Sequence, residues 1–406
     1  MRFVLKNILH IFLVVFAFVM VKAQPVQINT YGVANLQADT ITYYGNSFEK
    51  FSPFFKTFRS MIIGGKQQIN IYHIGDSHIQ ADFFSGQTRK DFQSFMAGLE
   101  GSRGMVTPYT KGSPDSYSIS FSSGWKSVNI LSASDSQHKS LWGTSVYTNL
   151  NNQSINIKVN NRNPIKYEFN SFRVYHSDLQ AEDKIYIDDL NVAYSRQYNK
   201  EYGYTEFKLS DYITEVKIVV DKKSSDSFYI YGFYFDNKFA GVVYNATGTN
   251  GATAAHYNNN ANLFTKHLSS LKANLVIISL GTNDTYESGG ENTFETNLSN
   301  LVSNIRKSHK DIPILLTTPT ECYWHKKYPN PRMKTTVDII KNVAKKNDCA
   351  VLDIYNILGG QGSAKKMKNN SLMQNDMVHL SVKGYGLIGD LLYNALWQEI
   401  ENNLGK

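Results

Sequence analysis

The chain has 406 residues, a formal net charge of +8, 42% hydrophobic and 19% charged residues. That length suits two ordinary domains, and the composition excludes a globally disordered chain. Two cysteines are too few for a disulfide scaffold or a Cys-rich metal site, and the Lys and Arg residues are scattered, with no nucleic-acid-binding run. The positive balance favours acidic polymers (nucleic acid, anionic lipid or an anionic cell wall), although a merely basic surface is the plainer reading.

Residues 1–23 read as a signal peptide. Arg2 and Lys6 open it, an apolar run from Ile8 to Val21 follows, and Val21-Lys22-Ala23 offers a cleavage site before Gln24. The run is short against the roughly 20 apolar residues of a membrane span, so cleavage would leave no stable span. An uncleaved anchor is the alternative, and the lack of a Cys near Ala23 speaks against a lipoprotein. The expected location is periplasmic or secreted.

Residues 24–97 open an α/β domain. The apolar run Ile69–Ile74 predicts a strand buried on both faces, and a helical pattern runs from Ile79 to Met96. Between them stands Gly75-Asp76-Ser77-His78. From 98 to 237 the period changes to two. Tyr117–Phe121, Ile155–Val159, Tyr167–Val174, Lys184–Ile187, Glu206–Leu209, Val216–Val220 and Phe228–Phe235 all predict strands, and an inserted all-β sandwich is the natural arrangement.

Residues 238–406 return to the α/β pattern. Val242–Tyr244, Leu275–Leu280, Ile312–Leu316 and Ala350–Ile354 predict further strands, with helices over Thr293–Lys307, Thr335–Lys346 and Val382–Ile400. The fold class is therefore α/β, a three-layer doubly wound parallel sheet carrying a β-sandwich insert. Strand polarity places Cys322 and Cys349 at opposite strand ends and predicts two free thiols.

Four short blocks carry the chemistry. Ser77 sits where a strand ends and a helix begins, where backbone N–H groups are free to hold an anion. Gly251, in Gly248-Thr249-Asn250-Gly251, can offer an N–H at close approach, and Asn283, in Gly281-Thr282-Asn283-Asp284, can offer a side-chain amide. Asp376 and His379, three residues apart before the last helix, pair a carboxylate with an imidazole. Each block alone is an ordinary turn or cap. Three of them follow predicted strands, at the edge where doubly wound folds place their sites.

In this order the blocks resemble the SGNH, or GDSL-type, hydrolase superfamily. The resemblance implies a flavodoxin-like sheet, Ser77, His379 and Asp376 as a catalytic triad, and Ser77, Gly251 and Asn283 as the oxyanion hole. His78 stands where many relatives carry Leu, and with Asp76 it is a candidate for the pocket wall. The segment Ile74-Gly75-Asp76-Ser77-His78-Ile79-Gln80-Ala81-Asp82-Phe83-Phe84-Ser85-Gly86 is similar to the start of bacterial peptidoglycan O-acetylesterases, which carry a carbohydrate-binding-like β module at the position of this insert. The resemblance implies removal of O-acetyl groups from peptidoglycan or another O-acetylated glycan, through an acetyl-enzyme and without metal or organic cofactor. Acetylated xylan or exopolysaccharide, acyl transfer, and an inactive glycan-binding protein are the alternatives. On this mechanism Asp376→Asn costs less than Ser77→Ala.

The remaining features are weaker. His73, His176, His256, His267, His309 and His325 show no metal-ligand spacing and read as structural or surface residues, with His73 also a candidate for the pocket lining. Trp125, Trp142, Tyr229 and Tyr231 could stack on sugar, core packing being the plainer role. Lys365-Lys366-Met367-Lys368 reads as a solvated loop.

Overall fold

A computed structural model describes residues 26–110, 116–132, 136–160, 165–188 and 191–405. The signal-peptide expectation falls on residues outside this set. Among the described residues no helix is long and apolar enough to cross a membrane.

The five apolar runs all become strands of one six-stranded sheet, in the spatial order Ile41–Tyr43, Ala350–Leu352, Ile314–Thr317, Leu275–Ser279, Gln68–Gly75, Gly241–Gly248. All neighbours are parallel except the edge strand Ile41–Tyr43, which runs antiparallel to Ala350–Leu352. Numbered by their place in the chain, the parallel strands lie in the order 2-1-3-4-5, the flavodoxin-like winding. That order reverses beside Gln68–Gly75, and the crevice at its carboxyl end is where such folds bind ligands. Helices Ser47–Gly64, Phe84–Ser94 and Val382–Leu404 cover one face. Ala261–Ser270, Glu291–Ser308 and Met333–Lys346 cover the other.

The helical pattern from Ile79 to Met96 divides into Ser77–Gln80 and Phe84–Ser94. The break falls at Asp82, whose φ is +57°, and whose carboxylate grips Arg89 through two bonds of 2.6 and 2.8 Å. Lys365 to Lys368 lie in the helix Ser363–Asn369, where a loop was expected; the buried Glu321 carboxylate accepts from Gly362 and Ala364 and fixes its start. Cys322 and Cys349 are free and buried.

The insert folds as two antiparallel sheets, one of seven strands and one of four. Their facing sides form a core of Ile155, Ile157, Val216, Ile218 and Val220 against Phe172, Val174, Phe207, Phe233 and Phe235. Part of the outer face of the larger sheet is covered. Tyr175, Tyr231 and Tyr234, with Trp142, pack on Tyr72, Val243, Phe264 and Leu268 of the α/β part. Phe228–Asp236 is consequently buried at every position, a strand covered on both faces. Trp142, Tyr229 and Tyr231 are therefore core residues.

Candidate active site

The strand Gln68–Gly75 delivers Ser77 to the sheet's carboxyl edge. Asp76 caps the following turn, accepting the His78 N–H at 2.9 Å, and Ser77 starts the short helix Ser77–Gln80. Its own N–H, at the first helical position, has no partner within the helix. Gly248 makes this turn fit: a Cβ there would lie 2.4 Å from the Asp76 carbonyl oxygen and 2.5 Å from the Gln80 nitrogen.

The structure brings the distant Asp376 and His379 to this turn. His379 Nε2 lies 2.9 Å from Ser77 Oγ, and its Nδ1 lies 2.7 Å from Asp376 Oδ2. Asp376 Oδ1 accepts the backbone N–H groups of Val378 and His379 at 3.0 and 2.9 Å. Met377, at φ +59°, bends the chain so that one carboxylate serves both backbone and ring. Burial would raise the Asp376 carboxyl, but the His379 hydrogen bond and the two N–H donors outweigh it and hold the group below its ordinary value. The array can take a proton from the serine and stabilise the imidazolium that results.

Two further loops converge here. Asn283 Nδ2 donates to the Ala252 carbonyl at 3.0 Å and to Asp76 Oδ2 at 3.2 Å, so the amide stands between the serine turn and the glycine block. Gly251 takes φ +78°, a value that suits glycine, and Gln80 Oε1 accepts from the neighbouring Asn250 N–H. Asp284 was not singled out from sequence, yet it joins two blocks. It accepts from Gly281 N–H at 3.1 Å and from Ala254 N–H at 2.8 Å. Burial pushes both Asp76 and Asp284 up to about 7.

Asp76 and His78 line a small pocket with Thr282, Thr318, Thr320 and Ile388. His78 Nδ1 meets Tyr385 Oη at 3.0 Å, and burial, with the nearby His379, lowers its pKa to about 3. The pocket role considered for His73 is not what the structure gives. His73 is buried beneath the serine turn between Tyr244 Oη at 2.8 Å and Ser279 Oγ at 2.7 Å. Its ring pins two neighbouring strands. The insert also reaches this edge. Tyr109 donates to the Gly248 carbonyl at 2.8 Å, and Leu131 Cδ2 would lie 3.1 Å from a Cβ placed on Gly251. Neither residue carries a sequence signal, because each acts through a tertiary contact.

Among the described residues no group of three or more His, Cys, Asp or Glu could hold a metal ion. Residues 223–387 match the model of the GDSL-like Lipase/Acylhydrolase family, a span that takes in Gly251, Asn283, Asp376 and His379 and begins after Ser77. A search of curated proteins finds no significant match. A solved peptidoglycan O-acetylesterase is similar in structure, with a TM-score of 0.71 at 22% identity over 89% of this chain and 99% of that one. That coverage takes in the insert, so the two share their fold across both parts. A lipase/acylhydrolase from Enterococcus faecalis matches at 22% identity over 39% of this chain and 77% of that one, with a TM-score of 0.32.

Proposed function

Because the chain carries a GDSL-type, or SGNH, lipase–acylhydrolase domain, we propose that it is a carboxylic ester hydrolase that removes O-acetyl groups from cell-wall glycan. The observation that carries this reading is the unbroken relay Ser77–His379–Asp376 at the sheet's switch point. Support for the acetylated-glycan substrate comes from the structural likeness to a peptidoglycan O-acetylesterase. Export through residues 1–23 is part of the same proposal, since the substrate lies outside the cytoplasm.

In this mechanism Ser77 Oγ attacks the acetyl carbonyl while His379 Nε2 takes its proton. The N–H groups of Ser77 and Gly251 and the Asn283 amide hold the oxyanion. The longer Asn283 bond, to Asp76, is the one that the oxyanion displaces. His379 returns the proton to the departing sugar hydroxyl, leaving an acetyl-enzyme. Water then adds with His379 as base, releasing acetate and regenerating Ser77.

The test is acetate release from O-acetylated peptidoglycan, compared with acetylated xylan and a chromogenic acetate ester. Wild-type protein should hydrolyse all three measurably and peptidoglycan best, and Ser77→Ala should be inert on each while melting normally. Full turnover by Ser77→Ala would refute the mechanism. Preference for xylan would move the substrate to another polysaccharide.

A further inference from the structure

A short hairpin stands beside the relay and has no part in it. Tyr323–Trp324 pairs antiparallel with Tyr328–Pro329, and Lys327 N–H donates to the Trp324 carbonyl at 3.0 Å. His325 and Lys326, the two turn residues, have φ of +48° and +62°. Both conformations suit glycine or asparagine at the centre of a β-turn and are strained for long side chains. The turn places three cationic or titratable side chains, His325, Lys326 and Lys327, at an exposed tip.

The root of the hairpin is tied to both catalytic loops. Tyr323 N–H donates to the Met377 carbonyl at 2.8 Å, between Asp376 and His379. Tyr286, just beyond Asn283 and Asp284, donates through its hydroxyl to the Tyr323 carbonyl at 3.3 Å and accepts the His325 N–H at 2.9 Å. The hairpin therefore overhangs the acid–base loop on one side and the amide loop on the other.

Its rings are held ready. Trp324 is partly exposed, its indole N–H donates to Glu287 at 3.3 Å, and the Arg332 guanidinium lies 5.6 Å from its ring centre. Tyr328 is 45% exposed, with its ring 5.4 Å from that of Trp324. A fixed pair of accessible rings beside the Asp376–His379 loop is a stacking surface for the apolar faces of pyranose rings, and it loses little ordering entropy on binding. Among the described residues Lys326 and Lys327 make no ion pair, so both can meet carboxylates along a strand.

We propose that Tyr323–Pro329 is a glycan-strand subsite, with Trp324 and Tyr328 stacking on sugar rings next to the acetylated residue and Lys326 and Lys327 pairing with carboxylates of an anionic strand. The assignment rests on the ester-hydrolase reading above and names the part of the chain that recognises the polymer. Binding here is remote from the reacting bond, so it serves polymer and not a small ester.

The experiment measures kcat/KM on soluble O-acetylated peptidoglycan strands and on a chromogenic acetate ester. It compares wild type with Trp324→Ala, Trp324→Phe, Tyr328→Ala and the double variant Lys326→Gln/Lys327→Gln. The polymer-to-small-ester ratio should fall roughly tenfold for each aromatic-to-alanine change, carried by KM, with Trp324→Phe restoring most of it. Trp324→Ala could loosen the hairpin; Tyr328→Ala, at an exposed ring, keeps the test independent of that. A ratio within about twofold of wild type for both alanine variants overturns the subsite and leaves the tip to a protein partner. An equal fall on both substrates overturns it too, because the hairpin would then act by positioning the Asp376–His379 loop. If wild type cleaves the small ester but releases no acetate from any glycan, the glycan reading fails, whatever the hairpin variants do.

Discussion

Exchanging Asp376 for asparagine changes one atom and should cost more than sequence alone suggests. Oδ1 of Asp376 accepts two backbone N–H groups, from Val378 and His379, while Oδ2 faces His379 Nδ1. An asparagine must keep its single oxygen on those two donors, which turns its NH₂ toward Nδ1. The imidazole then accepts at Nδ1 and carries its proton on Nε2, where it can no longer take one from Ser77. Reversing the amide would leave two N–H donors unpaired at about 1–3 kcal/mol each, or about 2–6 kcal/mol together. At about 1.4 kcal/mol per tenfold, the productive tautomer is then populated in roughly one molecule in 30 to one in 2 × 10⁴. Steady-state hydrolysis of a chromogenic acetate ester by Asp376→Asn should show that loss in kcat/KM, with the melting temperature nearly unchanged. Activity within tenfold of wild type would refute the pinned-oxygen account and restore the smaller penalty expected from sequence.

Asn283→Ala should lower kcat by roughly 10²–10³ with little change in KM, since the amide acts on the developing oxyanion; an unchanged kcat would remove it from the oxyanion hole. Stability should decline from about pH 6.5 to 8. Burial raises Asp39, Asp76 and Asp284 to about 7 and, with Asp390 beside it, Asp91 to about 8. The native state therefore holds protons in that window that the unfolded chain has lost, and unfolding is favoured as pH rises. The buried His73 and His267 and the half-buried His78, all near 3, and the buried His176, near 4, work in the opposite direction, but only below about 6.5. Thermal melts that rise or stay flat from pH 6.5 to 8 would contradict this balance. Replacing residues 99–236 with a Gly/Ser linker should abolish both small-ester and polymer hydrolysis, because it uncovers Tyr72, Val243, Phe264 and Leu268; retained small-ester turnover would show that the insert is dispensable to the core.

The central sheet was legible because parallel strands buried on both faces read as continuous apolar runs, and all five runs sit in it. The edge strand Ile41–Tyr43 was not, being three residues long with one buried position. The site blocks were legible because turn residues follow those strands in a fixed order, and the structure places His379 within hydrogen-bonding distance of both Ser77 and Asp376. What escaped were roles created by tertiary contact. Asp284 looks like any residue in an Asx turn until Ala254 is seen on its carboxylate. His73 looks like a neighbour of the serine, but strand alternation sends its ring beneath the turn. The hairpin Tyr323–Pro329 has two-residue strands and no glycine or asparagine in its turn, so no turn signal marks it. The insert's strands showed two-fold periodicity, which suggested one buried face, whereas Phe228–Asp236, inside the larger sheet, is buried on both.

The strand that delivers Ser77 pairs with Gly241–Gly248, its partner across the whole insert. Closing so long a loop is entropically costly until the intervening chain has condensed, and parallel pairings of this kind form slowly. The antiparallel sheets, built from nearer neighbours, should therefore condense first and shorten the gap. Refolding would then show two phases, with tyrosine burial in the insert preceding the return of esterase turnover. A chain that folds in this order stays catalytically silent until its β sandwich is in place.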